Sequence, residues 1–183
     1  MGEAINIVNN FKIEKVIFNN DTFNDLELNL VKILKEKNIK YYKNMKNISL
    51  GKNKLHFLNN ELYDDENDNS SVIYTELNNY KFLFMGDAGV EVEKNIIEKY
   101  NLQNIDVLKV GHHGSKTSSS EEFIDAINPK YGGISVGKNN RYGHPNNEVL
   151  DTLDGTKIYR TAQDGSIMFK IKNGDLKIET CVP

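Results

Sequence analysis

Apolar and polar positions change their spacing three times along the chain. Ile5, Val8, Phe11 and Ile13 predict a short amphipathic helix that feeds a strand at 15–18. Helical spacing returns at Phe23, Leu26, Leu30, Ile33 and Leu34, with Asp21 or Thr22 placed to cap it. Residues 39–42 read as strand, so helix and strand alternate as in a βαβ layer. The middle differs. Short strands at 48–50 and 55–58 flank a turn, and 64–69 is a polar, acidic loop. Strands at 72–77 and 80–85 meet at Asn78-Asn79, a pair suited to a tight hairpin turn. From Val90 the alternation resumes: helix 90–100, buried strand 105–110, and a helix opened by the serines at 118–120 with capping-box spacing. A strand at 132–136 and a helix from Pro145 to Leu153 follow. Strands at 158–160, 166–171 and 176–180 are expected to close the chain as a meander, turning at Asp164-Gly165 and Asn173-Gly174.

A length of 183 residues, 38% hydrophobic and 27% charged, fits one globular domain spanning 1–183. The net charge of -3 gives no overall basic surface for nucleic acid, though a local basic face is compatible with it. Cys181 is the single cysteine, which excludes an internal disulfide. The first residues lack a basic stretch followed by a long apolar core, and no apolar run reaches membrane-spanning length. No membrane segment is expected. Arginine is scarce, which singles out Arg141 and Arg160.

The chemistry gathers behind the apolar runs. Asp87 stands in a Gly-Asp-Ala-Gly turn after one strand, either as a ligand projected from the strand end or as an ordinary helix cap. His112 and His113 stand between two glycines after the next strand. One suits a metal and the other a phosphate oxygen or a leaving group; the bland alternative is two polar turn residues. Ser115-Lys116-Thr117 fails the phosphate-loop pattern, because no glycine directly precedes the lysine, and fails the nucleophile-elbow pattern as well. Serines 118–120 read as caps. The loop 137–145 joins Lys138, Arg141, Tyr142 and His144, either as a phosphate-holding loop or as a solvated one. His56 reads as a partly buried structural residue. Asp87, His112, His113 and His144 thus fall at successive strand ends, which in a layered α/β fold share one edge. That edge fits a divalent metal and a phosphoester.

These residues resemble the metallo-β-lactamase fold, and more narrowly the hydrolase-like domain of the ComEC family of DNA-uptake channel proteins. The resemblance runs through 82–87, through 106–118 with Gly111-His112-His113-Gly114-Ser115, through 134–145, and to Tyr159-Arg160-Thr161 and Asp164-Gly165, with Asn69-Ser70 ahead. It implies a layered αββα fold of two mixed sheets between helices. It implies that Asp87 and His113, 26 positions apart, hold metal, zinc or manganese, while His112 and His144 are catalytic. Ser115, Lys116, Lys138 and Arg141 are the expected substrate contacts. The family's His-x-His-x-Asp-His cluster is absent. The chain is therefore expected to start just after that cluster, truncated at its amino end. Its metal site is expected to be short of a ligand, with weak or no binding by this chain alone. The implied activity is metal-dependent hydrolysis of phosphodiesters, DNA among them. The alternative is an inactive domain with a DNA-binding or structural role in a competence channel. A homo-oligomer is expected through the sheet that the absent strands leave exposed.

Overall fold

A computed structural model describes residues 2–181. Helix α1 (Gly2–Asn10), strand β1 (Lys15–Phe18), helix α2 (Asp25–Glu36) and strand β2 (Lys40–Lys43) form a small βαβ unit, β1 pairing parallel to β2. Its core is Val8, Phe18, Leu30, Val31 and Leu34, with Phe18 edge-on to Phe23 at 4.8 Å between centroids. The cap of α2 is Asn24, not Asp21 or Thr22. Asn24 Oδ1 accepts from the Glu27 amide, and Glu27 Oε2 accepts from the Asn24 amide.

Strands β3 (Asn47–Leu50), β4 (Asn53–Phe57), β5 (Ile73–Leu77) and β6 (Tyr80–Phe84) make an antiparallel meander. Asn78 and Asn79 turn β5 into β6 with φ of 49° and 69°, the left-handed pair a two-residue hairpin loop needs. Next come α3 (Val90–Lys99), β7 (Val107–Lys109), α4 (Glu121–Ile127), β8 (Tyr131–Ile134), α5 (Asn147–Thr152) and β9 (Lys157–Arg160). These strands add in parallel to β6, giving one seven-stranded sheet in the order β3-β4-β5-β6-β7-β8-β9.

The closing meander is not formed. Strand β9 joins the large sheet in parallel, and only β10 (Ser166–Lys172) and β11 (Asp175–Cys181) pair as a hairpin. A one-turn helix, Thr161–Asp164, stands between β9 and β10, and Gly165 with φ of 69° follows it. The α/β layering expected of the sequence is present, with one qualification. Among the described residues the strands outside the large sheet form two separate pairs, β1–β2 and β10–β11, rather than a full mixed sheet.

The two faces of the large sheet differ. Leu83, Leu108 and Ile134 point into a core shared with Val92, Ile96, Phe123, Ile127, Val149 and Leu153 of the helices. The other face carries Phe82, Phe84, Val107, Tyr131 and Tyr159, on which the hairpin rests through Phe169, 6.5 Å from Tyr131 and 6.1 Å from Tyr159. Phe84 stays 40% exposed there, at the mouth of an apolar groove. No helix among the described residues is long and apolar enough to cross a membrane. Because β6, β7 and β8 run in parallel, their carboxyl ends lie side by side, and the segments that carry Asp87, the histidine pair and His144 leave from one rim.

Candidate active site

The Asp87 turn is held from both sides. The Asp87 amide donates to Ser70 Oγ at 3.0 Å, and the Gly89 amide donates to Asp68 Oδ1 at 2.7 Å. Gly86 has a φ of 61° and lies so close to Ser70 that an added Cβ would stand 2.8 Å from the serine Cβ. Helix α3 begins at Gly89 without a side-chain cap, so the Asp87 carboxylate is not spent as one. It is half-exposed at the rim and faces His113.

The segment Gly111–Gly114 is a tight, kinked turn whose central backbone is not helical. His112 and His113 both take left-handed backbone, with φ of 43° and 56°, a conformation that costs a non-glycine residue about 1 kcal/mol or more. The His112 amide donates to Gly86 O at 3.0 Å, and Ser118 Oγ donates to Gly111 O at 3.0 Å. Those bonds hold the strained pair at the rim beside Asp87.

His113 Nδ1 lies 2.6 Å from Ser135 O. A carbonyl oxygen only accepts, so Nδ1 carries the hydrogen, and in the neutral ring Nε2 is a bare lone pair. That Nε2 faces Asp87 Oδ1 at 3.6 Å. Two acceptors confront one another unless a proton or a metal cation stands between them. The arrangement is that of a metal-binding imidazole, oriented by a backbone carbonyl on its far nitrogen. Asp87 and His113 fit two positions of a metal centre. A zinc site of this type needs three or more protein ligands. Among the described residues no three His, Cys, Asp or Glu side chains are grouped to hold an ion.

Asn140 closes the third loop. Its Nδ2 donates to Gly137 O and His144 O, and its Oδ1 accepts from the His144 amide at 2.8 Å. The Asn146 amide donates to Gly114 O at 2.9 Å, so this loop docks on the histidine turn. The His144 ring then lies 6.1 Å from that of His112. Burial, with His112 and His113 nearby, holds the His144 pKa below the usual histidine value. Below the rim, burial lowers the Lys109 pKa while the Asp87 charge works against that shift, and the ammonium donates to Val110 O at 2.7 Å.

The other sequence-predicted contacts scatter. Ser115 is buried and paired with Thr117 Oγ1 at 3.1 Å, so its hydroxyl serves the turn. Lys116, Lys138 and Arg141 are exposed. Arg141 Nη2 donates to Tyr142 Oη at 2.7 Å. A cavity of about 470 Å³ opens beside the rim, lined by His113, His144, Tyr142, Val136, Asn140 and Thr161, among others. Asp68, Ser70, Asn140 and Glu93 are site-supporting residues that the sequence reading assigned no role. Buried Glu93 accepts from the amides of Ser119 and Ser120 and from Ser120 Oγ. Two of them carried a signal: Ser70 lies in the run that the resemblance covers, and Asn140 in the glycine-bounded loop with Arg141 and His144.

No family model matches the chain. Over 122 residues, 64% of its length, it is 41% identical to ComE operon protein 3 of Bacillus subtilis, of which the match spans 16%. It is 35% identical over 119 residues to competence protein ComA of Neisseria gonorrhoeae, spanning 17% of that protein, and 34% identical over 116 residues to recombination protein 2 of Haemophilus influenzae, spanning 14%. The chain thus spans about one sixth of the length of the curated relatives it matches. A protein of the metallo-β-lactamase superfamily from Thermotoga maritima superposes with a TM-score of 0.42 at 16% identity, over 80% of this chain and 82% of that one.

Proposed function

We propose that the chain carries part of the active site of a phosphodiester hydrolase of the metallo-β-lactamase type, of the kind associated with bacterial competence proteins. The observation that carries this reading is the confrontation of His113 Nε2 and Asp87 Oδ1 at 3.6 Å, with the far nitrogen of the ring tied to Ser135 O. Zinc or manganese, held by Asp87 and His113 with ligands beyond those grouped here, would supply an acidified water and neutralise phosphate charge.

The remaining roles belong to the chain's own side chains. His144 is neutral at neutral pH and is suited to accept a proton from an attacking water. His112, about 6 Å away across the rim, is suited to donate a proton to the leaving oxygen. Lys138 and Arg141, exposed on the loop that carries His144, would supply cationic hydrogen-bond donors to phosphate oxygens.

Hydrolysis of bis-nitrophenyl phosphate by the chain, with manganese or zinc added, tests the proposal. Slow turnover is expected, and Asp87→Asn and His113→Ala should each bring it to background. Turnover that survives Asp87→Asn overturns the catalytic reading. A second reading, nucleic-acid binding without catalysis, is favoured by one observation: the described residues group no third ligand with Asp87 and His113. No turnover at high metal concentration, with oligonucleotide binding retained, selects it.

A further inference from the structure

Tyr142 is 66% exposed at the edge of a cavity. Its ring stacks on His144, with centroids 5.8 Å apart and planes 16° from parallel. The Arg141 guanidinium lies 4.9 Å from the same ring and is bonded to its hydroxyl. An exposed aromatic ring beside the Asp87–His113 rim can stack a planar partner.

The cavity walls say how such a partner would be read. Several of their polar groups are already engaged within the protein. Ser135 O takes the His113 ring hydrogen. Both Asn140 amide contacts go to backbone carbonyls of its own loop. Thr161 Oγ1 accepts from the Val136 amide at 2.7 Å and donates to Val136 O at 2.8 Å. The remaining lining is the Val136 side chain, Gly137 and the rings of Tyr142, His144 and His113, so the pocket offers mainly faces to stack on. Base-edge discrimination needs unspent donors and acceptors, whereas stacking accepts every base. A base paired in a duplex has no free face to offer.

We propose that Tyr142 and the adjoining cavity form a base-stacking subsite for single-stranded nucleic acid, blind to sequence, placed so that the neighbouring phosphate reaches the His113–Asp87 rim. The inference rests on the phosphodiester reading and adds which form of the polymer the site takes. Tyr142 and Arg141 supply the π-face and the cation that bind single strands elsewhere.

Fluorescence anisotropy at low salt with end-labelled oligomers of about 12 nucleotides tests it. The probes are oligothymidylate, oligodeoxyadenylate, an abasic deoxyribose-phosphate oligomer and a duplex. The wild-type chain should bind the two base-bearing strands alike, and both more tightly than the abasic strand or the duplex. Tyr142→Ala should weaken binding of the base-bearing strands by roughly 5- to 150-fold, the worth of one base–aromatic stack, and leave the abasic strand unchanged. Tyr142→Phe keeps the ring and loses only the hydroxyl, so it should bind as the wild type does. An equal loss for all probes, or none, in Tyr142→Ala overturns the stacking subsite, as does an abasic strand that binds as well as the others. If no probe binds, the abasic one included, the phosphodiester reading itself fails. Thermal unfolding of each variant confirms that the ring, being largely exposed, was removed without loss of fold.

Discussion

Gly114 is where the histidine turn and the His144 loop meet. Its φ is 79°, and an added Cβ would stand 2.7 Å from Pro145 Cβ. Neither the conformation nor the space admits a side chain. Gly114→Ala should therefore lower stability by about 1–3 kcal/mol, read as a melting-temperature loss of several degrees. It should also displace the His144 loop from the histidine turn. Turnover should fall more than the stability loss explains, because the Asn146–Gly114 O bond that docks the loop is strained with it. The second residue-scale consequence concerns pH. His144 is held below the usual histidine value by burial and by its histidine neighbours. In the proposed role of base it would work unprotonated, so turnover should rise with pH through a midpoint below about 6.5 and then level. A pH–rate profile checks this: His144→Gln should remove the rising limb, and a limb centred above 6.5 that survives the substitution would assign it to another group.

At the scale of elements, the rim depends on a clasp between α3 and α4. Glu93 follows the Asp87 turn by six positions and receives the chain just before α4, at Ser119 and Ser120. The segment it fixes is the one that leaves the histidine turn. Glu93→Ala would leave those amides unpaired in a buried place and open a void, costing about 2–4 kcal/mol. Burial raises the Glu93 pKa against its three hydrogen bonds, so the folded state holds its proton more tightly than the unfolded state does. Stability from this group is thus complete below the ordinary glutamate value of 4.5 and is lost as pH rises through the folded value. Urea unfolding should show that fall in the wild type and a flatter curve in Glu93→Gln. None of this was legible in the sequence, where Glu93 is one acidic residue in a charged helix and the serines are only caps. Strand β7 and the Asn78-Asn79 turn were legible, since an apolar run and a left-handed asparagine pair are local properties. The cap of α2 slipped by a few residues, because Asp21, Thr22 and Asn24 all qualify as caps and only packing selects among them. The last three strands were found, yet which sheet each joins is a long-range matter that their alternation does not carry. The rim histidines and Asp87 were legible for a related reason: each stands in a glycine-bounded turn after an apolar run, and parallel strands bring such turns together.

For the whole molecule, the decisive number is the count of ligands at the rim. The -3 net charge and the neighbouring lysines do not govern whether an ion stays; donor atoms do. A full structural zinc site in a small peptide binds with about 10–16 kcal/mol. Two of four ligands, even preorganised, should contribute about half of that, a dissociation constant from the micromolar range to the hundred-micromolar range. His113 is well placed for this, since Ser135 O fixes its ring hydrogen on Nδ1 and leaves Nε2 toward Asp87. Isothermal titration of the chain with zinc and with manganese should accordingly show weak binding that Asp87→Asn abolishes. A nanomolar, one-to-one site would mean that the side chains now seen apart rearrange to complete the centre. Binding indifferent to both Asp87→Asn and His113→Ala would place the ion elsewhere and remove the ground for treating this rim as catalytic.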